Sequence, residues 1–224
     1  HDCLEVTLVS EELLCTFSPL LINGLAGDLA PGDFTLDLPK LATQRGFQFM
    51  QGTIELIDRA KKSAHVRLQD GSLTELPYDT AVLATGSKAN FFDIPGLEQS
   101  AFALKKLSDI DRLVTHIDGL LVQASKVWTD EDKKRLLSFL IVGGGPTGVE
   151  LLGAMQTRLY ALATERGLEH LLPLVQIALV ESNNLLFYGF PDTLGSGSET
   201  VLKNAGITLR CGVRVVGVEA GVAT

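Results

Sequence analysis

The stretch Leu140-Ile-Val-Gly-Gly-Gly-Pro-Thr-Gly-Val-Glu150 decides how the rest of this 224-residue chain is read. Gly143, Gly145 and Gly148 fit G-x-G-x-x-G, and each glycine has its own physical reason. Gly143 permits a tight turn, Gly145 lets the backbone approach a pyrophosphate, and Gly148 allows a helix to pack close to a strand. Pro146 suits the first turn of a helix, where its missing N–H costs nothing. The N-terminus of that helix offers backbone N–H groups and a positive dipole end to phosphates. Gly144 and Thr147 complete the loop expected to hold a dinucleotide. A bare glycine pattern occurs in many turns. Here a β-rich run from Ser138 precedes it, a helical run from Pro146 to about Arg166 follows, and an acidic residue closes the next strand.

That acid is Glu181, at the end of an apolar run from Val175 to Val180. It lies 33 residues beyond Gly148 (148 to 181), where about 20 is usual. A longer helix and the loop Gly167 to Leu174 absorb the excess. Its carboxylate is expected to accept hydrogen bonds from adenosine ribose hydroxyls and to repel a 2′-phosphate, which favours NADH over NADPH. Glu150, just after the last glycine, has two readings that the residues leave open. It is either a complement to the helix dipole or an acid near the nicotinamide.

Outward from this motif the pattern is strand, glycine turn, helix, strand. A helix over Asp192 to Asn204 with Gly206 as its stop and a strand over Ile207 to Arg210 complete a βαβαβ unit. Gly195 and Gly197 argue against that helix. Such an order implies a parallel, doubly wound sheet with right-handed crossovers. A strand-like run, Val213 to Val218, follows.

The first half reads differently. A strand over Leu4 to Val9 leads into a turn-rich stretch, Phe17 to Gly32, and then a short helix over Thr35 to Arg45 closed by Gly46. Strands are expected over Gln48 to Ile57, Ala64 to Leu68 and Leu73 to Leu76, with Asp70-Gly71 as a hairpin turn. Thr80 to Ala84 reads as a buried strand ending at Thr85-Gly86. Pro95-Gly96 reads as a linker. A helix from about Ser108 to Gln123 follows, with Ile110, Leu113, Val114 and Ile117 at helical spacing.

Composition narrows the function. The chain is 46% hydrophobic and 21% charged, as expected of a globular core, and its net charge of −8 opposes a nucleic-acid surface. The mixed run Asp130 to Arg135 reads as a solvated loop or helix start. Cys3, Cys15 and Cys211 form no C-x-x-C pair, so a dithiol active site is not expected. The four histidines form no metal-binding spacing. Leu136 to Met155 is apolar, but its five glycines, Pro146 and Glu150 suit a strand–turn–helix rather than a bilayer span.

The residues also resemble a family. "LIVGGGPTGVELLG" resembles the nucleotide motif of type II NADH dehydrogenases, single-chain NADH:quinone oxidoreductases among the two-dinucleotide-binding flavoproteins. "YDTAVLATGSKANFFDIPG" is similar to their ATG segment, and "VTLVS…FSPLLINGLAG" to the stretch after the second strand of their flavin domain. The resemblance implies an α/β fold of two Rossmann-like domains, both incomplete here: residues 1–103, FAD-binding with a β-meander, and 104–224, NADH-binding. It implies FAD and NADH as cofactors, hydride passing from nicotinamide to flavin, and electrons passing to a quinone. Gly143, Gly145 and Gly148 would hold the NADH pyrophosphate and Glu181 its ribose. Glu150 would sit near nicotinamide and flavin, Ala84, Thr85 and Gly86 would border the flavin, and Pro19 and Leu20 would lie on the flavin or quinone side. The implied partners are a quinone, a membrane surface reached through parts outside this chain, and a second copy in a homodimer. The implied location is peripheral, on the cytoplasmic face of a membrane.

The sequence departs from the family at several points. No flavin-type G-x-G-x-x-G precedes Leu4, Ser10 stands where an acid for the FAD ribose is common (Glu11 is next), and Ala154 replaces an acid after the NADH motif. The C-terminal Gly-Asp flavin segment and the amphipathic docking helices are also missing. Both ends read as cut, as in an internal fragment. A sulfide:quinone or ferredoxin reductase relative and a non-catalytic nucleotide-binding module are the alternative readings. A glycine loop supplies most backbone donors to a pyrophosphate, so this chain is expected to hold little or no flavin and to bind NADH weakly. An absorption spectrum of the purified chain checks this, and a stoichiometric FAD band overturns it.

Overall fold

The strand, glycine turn and helix expected around Leu140 to Glu150 all form in a computed structural model of the chain, which describes residues 4–224. Cys3 lies outside the described residues. In chain order the elements are β1 (Thr7–Ser10), β2 (Leu14–Thr16), a 3-10 turn (Ser18–Leu20), α1 (Leu21–Ala26), α2 (Pro31–Phe34), β3 (Thr35–Asp37) and α3 (Leu38–Arg45). Then come β4 (Gln48–Asp58), β5 (Ser63–Leu68), β6 (Leu73–Pro77), α4 (Leu97–Ser100), α5 (Leu107–Ala124) and α6 (Asp130–Leu136). The last group is β7 (Ser138–Val142), α7 (Pro146–Arg166), a 3-10 segment (Glu169–Leu174), β8 (Gln176–Glu181), α8 (Asp192–Asn204), β9 (Thr208–Cys211), β10 (Val218–Glu219) and β11 (Val222–Ala223).

The chain divides into two compact units. One comprises the residues up to Phe17 and Pro31–Lys88, and the other Ser18–Ala30 and Ala89–Thr224. This division differs from the expected limits of 1–103 and 104–224, for two reasons of packing. Leu21 and Leu25, one turn apart on α1, are 2% and 0% exposed, and α1 packs on α7 and α5. Each leucine contributes about 1.5–3 kcal/mol of burial as an upper estimate. Residues after Lys88 also belong to the second unit: the Val218 N–H donates to the Pro95 carbonyl at 2.8 Å. Gly96, at φ +74°, lies so close to the Val218 carbonyl that a Cβ would fall 2.0 Å from its oxygen. Pro95-Gly96 is therefore a packed turn, not a free linker.

In the first unit β1, β4, β5 and β6 form one sheet in that order, with β1 parallel to β4 and the rest antiparallel. The β4–β5–β6 meander has a bulge between Ile54 and Leu56, where the Glu55 carboxylate accepts from two Arg67 nitrogens, Nε and Nη2, at 2.6 and 2.9 Å. Asp70 closes the hairpin by accepting from the Ser72 N–H and hydroxyl at 2.9 and 2.6 Å, beside Gly71 at φ +84°. Thr35–Asp37 is not helical as expected but pairs antiparallel with β2. The helix starts only after it, because the Asp37 carboxylate caps the Lys40 N–H at 2.9 Å. Thr80 to Ala84 is a clear correction: it has no regular structure, pairs with no strand among the described residues, and leaves Val82 85% and Leu83 69% exposed.

In the second unit β7, β8 and β9 form a parallel sheet, β7 in register with β8 from Ser138↔Gln176 to Val142↔Val180. Crossovers α7 and α8 have the expected bounds. Within the stretch 17–32, expected as turns, α1 forms instead, because Leu21 and Leu25 find apolar cover that sequence alone does not display. The mixed charge run is α6, with Thr129 capping the Asp132 N–H at 3.1 Å, acids in the first turn and bases in the last. Arg166 on α7 pairs through two nitrogens with Asp118 on α5. The expected strand Val213 to Val218 shrinks to its last residue. The chain turns at Gly212 (φ +70°), and the Val213 N–H is drawn to the Glu181 carbonyl at 3.0 Å.

The two glycines of α8 are not equivalent. A Cβ on Gly195 would lie 2.7 Å from the Leu186 carbonyl oxygen, whereas Gly197 faces open space. Gly195→Ala is expected to lower the melting temperature despite the higher helix propensity of alanine. Gly197→Ala is expected to raise stability by up to about 1 kcal/mol. Thermal denaturation of the two variants checks the contrast, and equal shifts contradict it.

Candidate functional site

The glycine turn follows from local constraints on three consecutive backbone units. Gly143 continues the sheet by donating its N–H to the Val180 carbonyl at 2.8 Å, then turns at φ +109°. Gly144 has no room for a side chain: a Cβ would meet Leu186 Cδ2 at 2.5 Å and Glu181 Cβ at 2.9 Å. Its carbonyl accepts the Phe187 N–H at 2.9 Å. Gly145, the N-cap of α7, has nothing within 4 Å of a hypothetical Cβ, so its outer side is open. A Cβ on Gly148 would sit 2.0 Å from the Gly143 carbonyl oxygen, so α7 presses directly on the turn.

Pro146 occupies the start of α7, and the first intrahelical bond to the turn is Val149 N–H to the Gly145 carbonyl at 3.2 Å. The N–H groups of Thr147 and Gly148 precede any available i−4 helical carbonyl. An open backbone surface at the positive end of a 21-residue helix is the geometry a pyrophosphate needs.

Glu181 ends β8 directly beside this turn and is only 9% exposed. Its Oε2 accepts the Gly144 N–H at 2.6 Å. Its Oε1 accepts the Asn183 N–H and Nδ2, each at 2.7 Å, and the Ser182 hydroxyl at 3.2 Å. Burial alone pushes this carboxyl up, but the bonds from Asn183, Gly144 and Ser182 outweigh it and hold the group below its ordinary value. Glu181 is therefore charged at neutral pH. Sequence reasoning found Glu181 but missed its donors. The available signal was Ser182-Asn183-Asn184, side chains that hydrogen-bond to nearby backbone and fold turns.

The other expected residues are distributed as follows. Glu150 is exposed on α7, and Ala154 is buried there at 6% exposure, where an acid would be desolvated. Ala84, Thr85 and Gly86 are exposed in the first unit, with Gly86 at φ +67°. In that unit Ser10 accepts the Glu12 N–H at 3.2 Å, and Glu11 accepts the Thr53 hydroxyl at 2.8 Å. Pro19 is exposed and Leu20 half-buried in the second unit. The residues that come together are thus Gly143 to Gly148 and Glu181. Cys211 is half-buried; burial and the Glu199 and Glu181 carboxylates push its thiol up, opposing thiolate chemistry. Among the described residues no group of His, Cys, Asp and Glu could hold a metal ion, and no helix is long and apolar enough to cross a membrane.

The family model described as "Pyridine nucleotide-disulphide oxidoreductase" matches residues 2–222. The chain belongs to this family. Among relatives of this pyridine nucleotide-disulphide oxidoreductase chain is the Arabidopsis thaliana "External alternative NAD(P)H-ubiquinone oxidoreductase B4, mitochondrial". It is 30% identical over 227 residues, covering 96% of this chain and 38% of that protein. The Mycobacterium tuberculosis "Type II NADH:quinone oxidoreductase NdhA" is 31% identical over 151 residues, covering 66% of this chain and 32% of its own length. The structure of NDH2 from Plasmodium falciparum in complex with NADH matches with a TM-score of 0.87 at 23% identity, covering 96% of this chain and 44% of that one. The likeness establishes the mixed α/β, Rossmann-like fold. This chain thus spans less than half the length of the relatives it matches.

Glu181→Gln tests the contact that holds the turn. Either orientation of the amide turns an NH2 towards donors, so stability at pH 7 is expected to fall by about 1–3 kcal/mol. Because the folded carboxyl lies below its ordinary 4.5, its contribution is full above that value and fades as the pH falls through the folded one. Urea denaturation should show a gap between wild type and variant at pH 7 that narrows below pH 4.5; a gap independent of pH contradicts the assignment.

Proposed function

We propose that this chain carries the NADH-binding part of a flavoprotein NADH:quinone oxidoreductase. The observation that carries the reading is the open backbone at Gly145, at the head of α7, with the Glu181 carboxylate closing the neighbouring strand. Gly143 to Gly148 would receive the pyrophosphate on backbone N–H groups, and the charged Glu181 would favour ribose hydroxyls over a 2′-phosphate, hence NADH over NADPH. Glu150, exposed on the early part of α7, is proposed as the acid beside the nicotinamide.

The residues described fit a nicotinamide nucleotide better than a flavin. The chain has one G-x-G-x-x-G, and Ala84, Thr85 and Gly86 stand exposed. In the whole protein FAD would supply hydride acceptance and two-electron delivery; the share of this chain is to bind and orient the donor. We further propose a quinone acceptor, supported by the relatives' quinone-oxidoreductase names, and, on the family resemblance of the sequence motifs, a peripheral position on the cytoplasmic face of a membrane and a homodimer. The domain limits 1–103 and 104–224 are proposed as the nucleotide-binding divisions, distinct from the compact units.

Gly145→Val places a branched side chain where the fold has space but the nucleotide needs the backbone. NADH binding, followed by fluorescence titration, is expected to weaken at least about tenfold, about 1.4 kcal/mol, while the melting temperature stays within a few degrees. Unchanged affinity removes the pyrophosphate assignment. NADH-dependent quinone reduction by the full-length protein supports the enzymatic reading; binding without turnover supports a nucleotide-binding module instead.

A further inference from the structure

We infer that the Asn183 carboxamide competes with the adenosine ribose for Glu181, making Asn183 a residue that sets nucleotide affinity. The inference rests on the proposal that NADH binds at this glycine loop. A carboxylate has about four acceptor positions on its two oxygens. Three of the four donors within the chain crowd one oxygen: the Asn183 N–H, Asn183 Nδ2 and Ser182 hydroxyl all reach Oε1, and the Gly144 N–H reaches Oε2. A vicinal diol that bridges both oxygens meets an Oε1 whose two acceptor positions are already taken.

The four donors differ in freedom. The Gly144 N–H is fixed by the turn, whose carbonyl is held by the Phe187 N–H at 2.9 Å. The Asn183 N–H is fixed because the carbonyl of the same residue accepts the Gly212 N–H at 2.8 Å. The Asn183 carboxamide and the Ser182 hydroxyl can rotate away without moving the backbone. The carboxamide, at 2.7 Å against 3.2 Å, is the stronger competitor. Ribose binding through both carboxylate oxygens therefore requires the Asn183 side chain to leave Oε1. The apparent affinity is lowered by the fraction of molecules in which it has done so. The same contact re-forms as the nucleotide departs, which favours its release.

Removing the carboxamide while keeping the backbone N–H lifts this competition. Asn183→Ala is expected to bind NADH and ADP about three- to tenfold more tightly than the wild-type chain in calorimetric titrations. Ser182→Ala should gain less. Binding of 2′,3′-dideoxyADP, which lacks both ribose hydroxyls, should be unaltered in both variants. Asn183→Leu, which keeps the branched heavy-atom skeleton of asparagine without its amide, serves if the alanine variant fails to fold. Unchanged or weaker NADH and ADP binding by the Asn183 variants overturns the inference, as does equal tightening for the dideoxy nucleotide, which would mean that the loop has merely loosened. Nucleotide binding that Glu181→Ala abolishes, with no gain from the Asn183 variants, sinks the inference and leaves the proposed function standing. No binding by any form sinks both.

Discussion

The hydrogen bond from the Gly144 N–H to the buried Glu181 carboxylate, 2.6 Å long, joins the two strand ends that define the second unit's site. It fixes the glycine turn from behind, so that the outer side of Gly145 stays open. Residues around it are constrained in sequence by this approach. Gly144 can carry no side chain because Leu186 and the Glu181 stem lie against it, and Gly148 can carry none because α7 presses on the Gly143 carbonyl. Leu186, 2% exposed, in turn demands Gly195 in α8. A chain of close contacts thus runs from the turn through the loop after β8 into the next helix.

Charge and burial balance at this point in a definite way. A carboxylate this deep in the fold would ordinarily be neutral or absent. Hydrogen bonds from two backbone amides, a carboxamide and a hydroxyl keep it ionised. The same bonds that stabilise the charge also occupy it, so structural support and ligand recognition draw on one set of lone pairs.

Much of the second unit was legible in the sequence because its local signals agree with its tertiary environment. The bounds of α7 and α8 and the heptad-like apolar face of α5 through Ile110, Leu113 and Ile117 were readable from periodicity and turn chemistry, as was the Asp70-Gly71 hairpin of the first unit. Residues 17–32 were not, since Asn23, Gly24, Gly27, Pro31 and Gly32 are turn formers and α1 exists because Leu21 and Leu25 are covered by α7 and α5. Thr80 to Ala84 failed for the opposite reason: its apolar run predicted a buried strand, but no strand pairs with it among the described residues. At the site, the glycines stood out by spacing and Glu181 by its place at the end of a strand, whereas Ser182 and Asn183 matter through where their donors point, which no spacing rule encodes.

The membership of Ser18–Ala30 in the second unit has a consequence for how the polypeptide can be divided. The backbone passes from one unit to the other after Phe17, after Ala30 and after Lys88. No single scission therefore yields two whole units. A piece begun at Ala89 would lack α1 and strip the cover from part of α7, exposing apolar surface that favours self-association. The two units are inseparable by simple dissection, and exchange of either with a homologue must carry the excursion through α1 along with it.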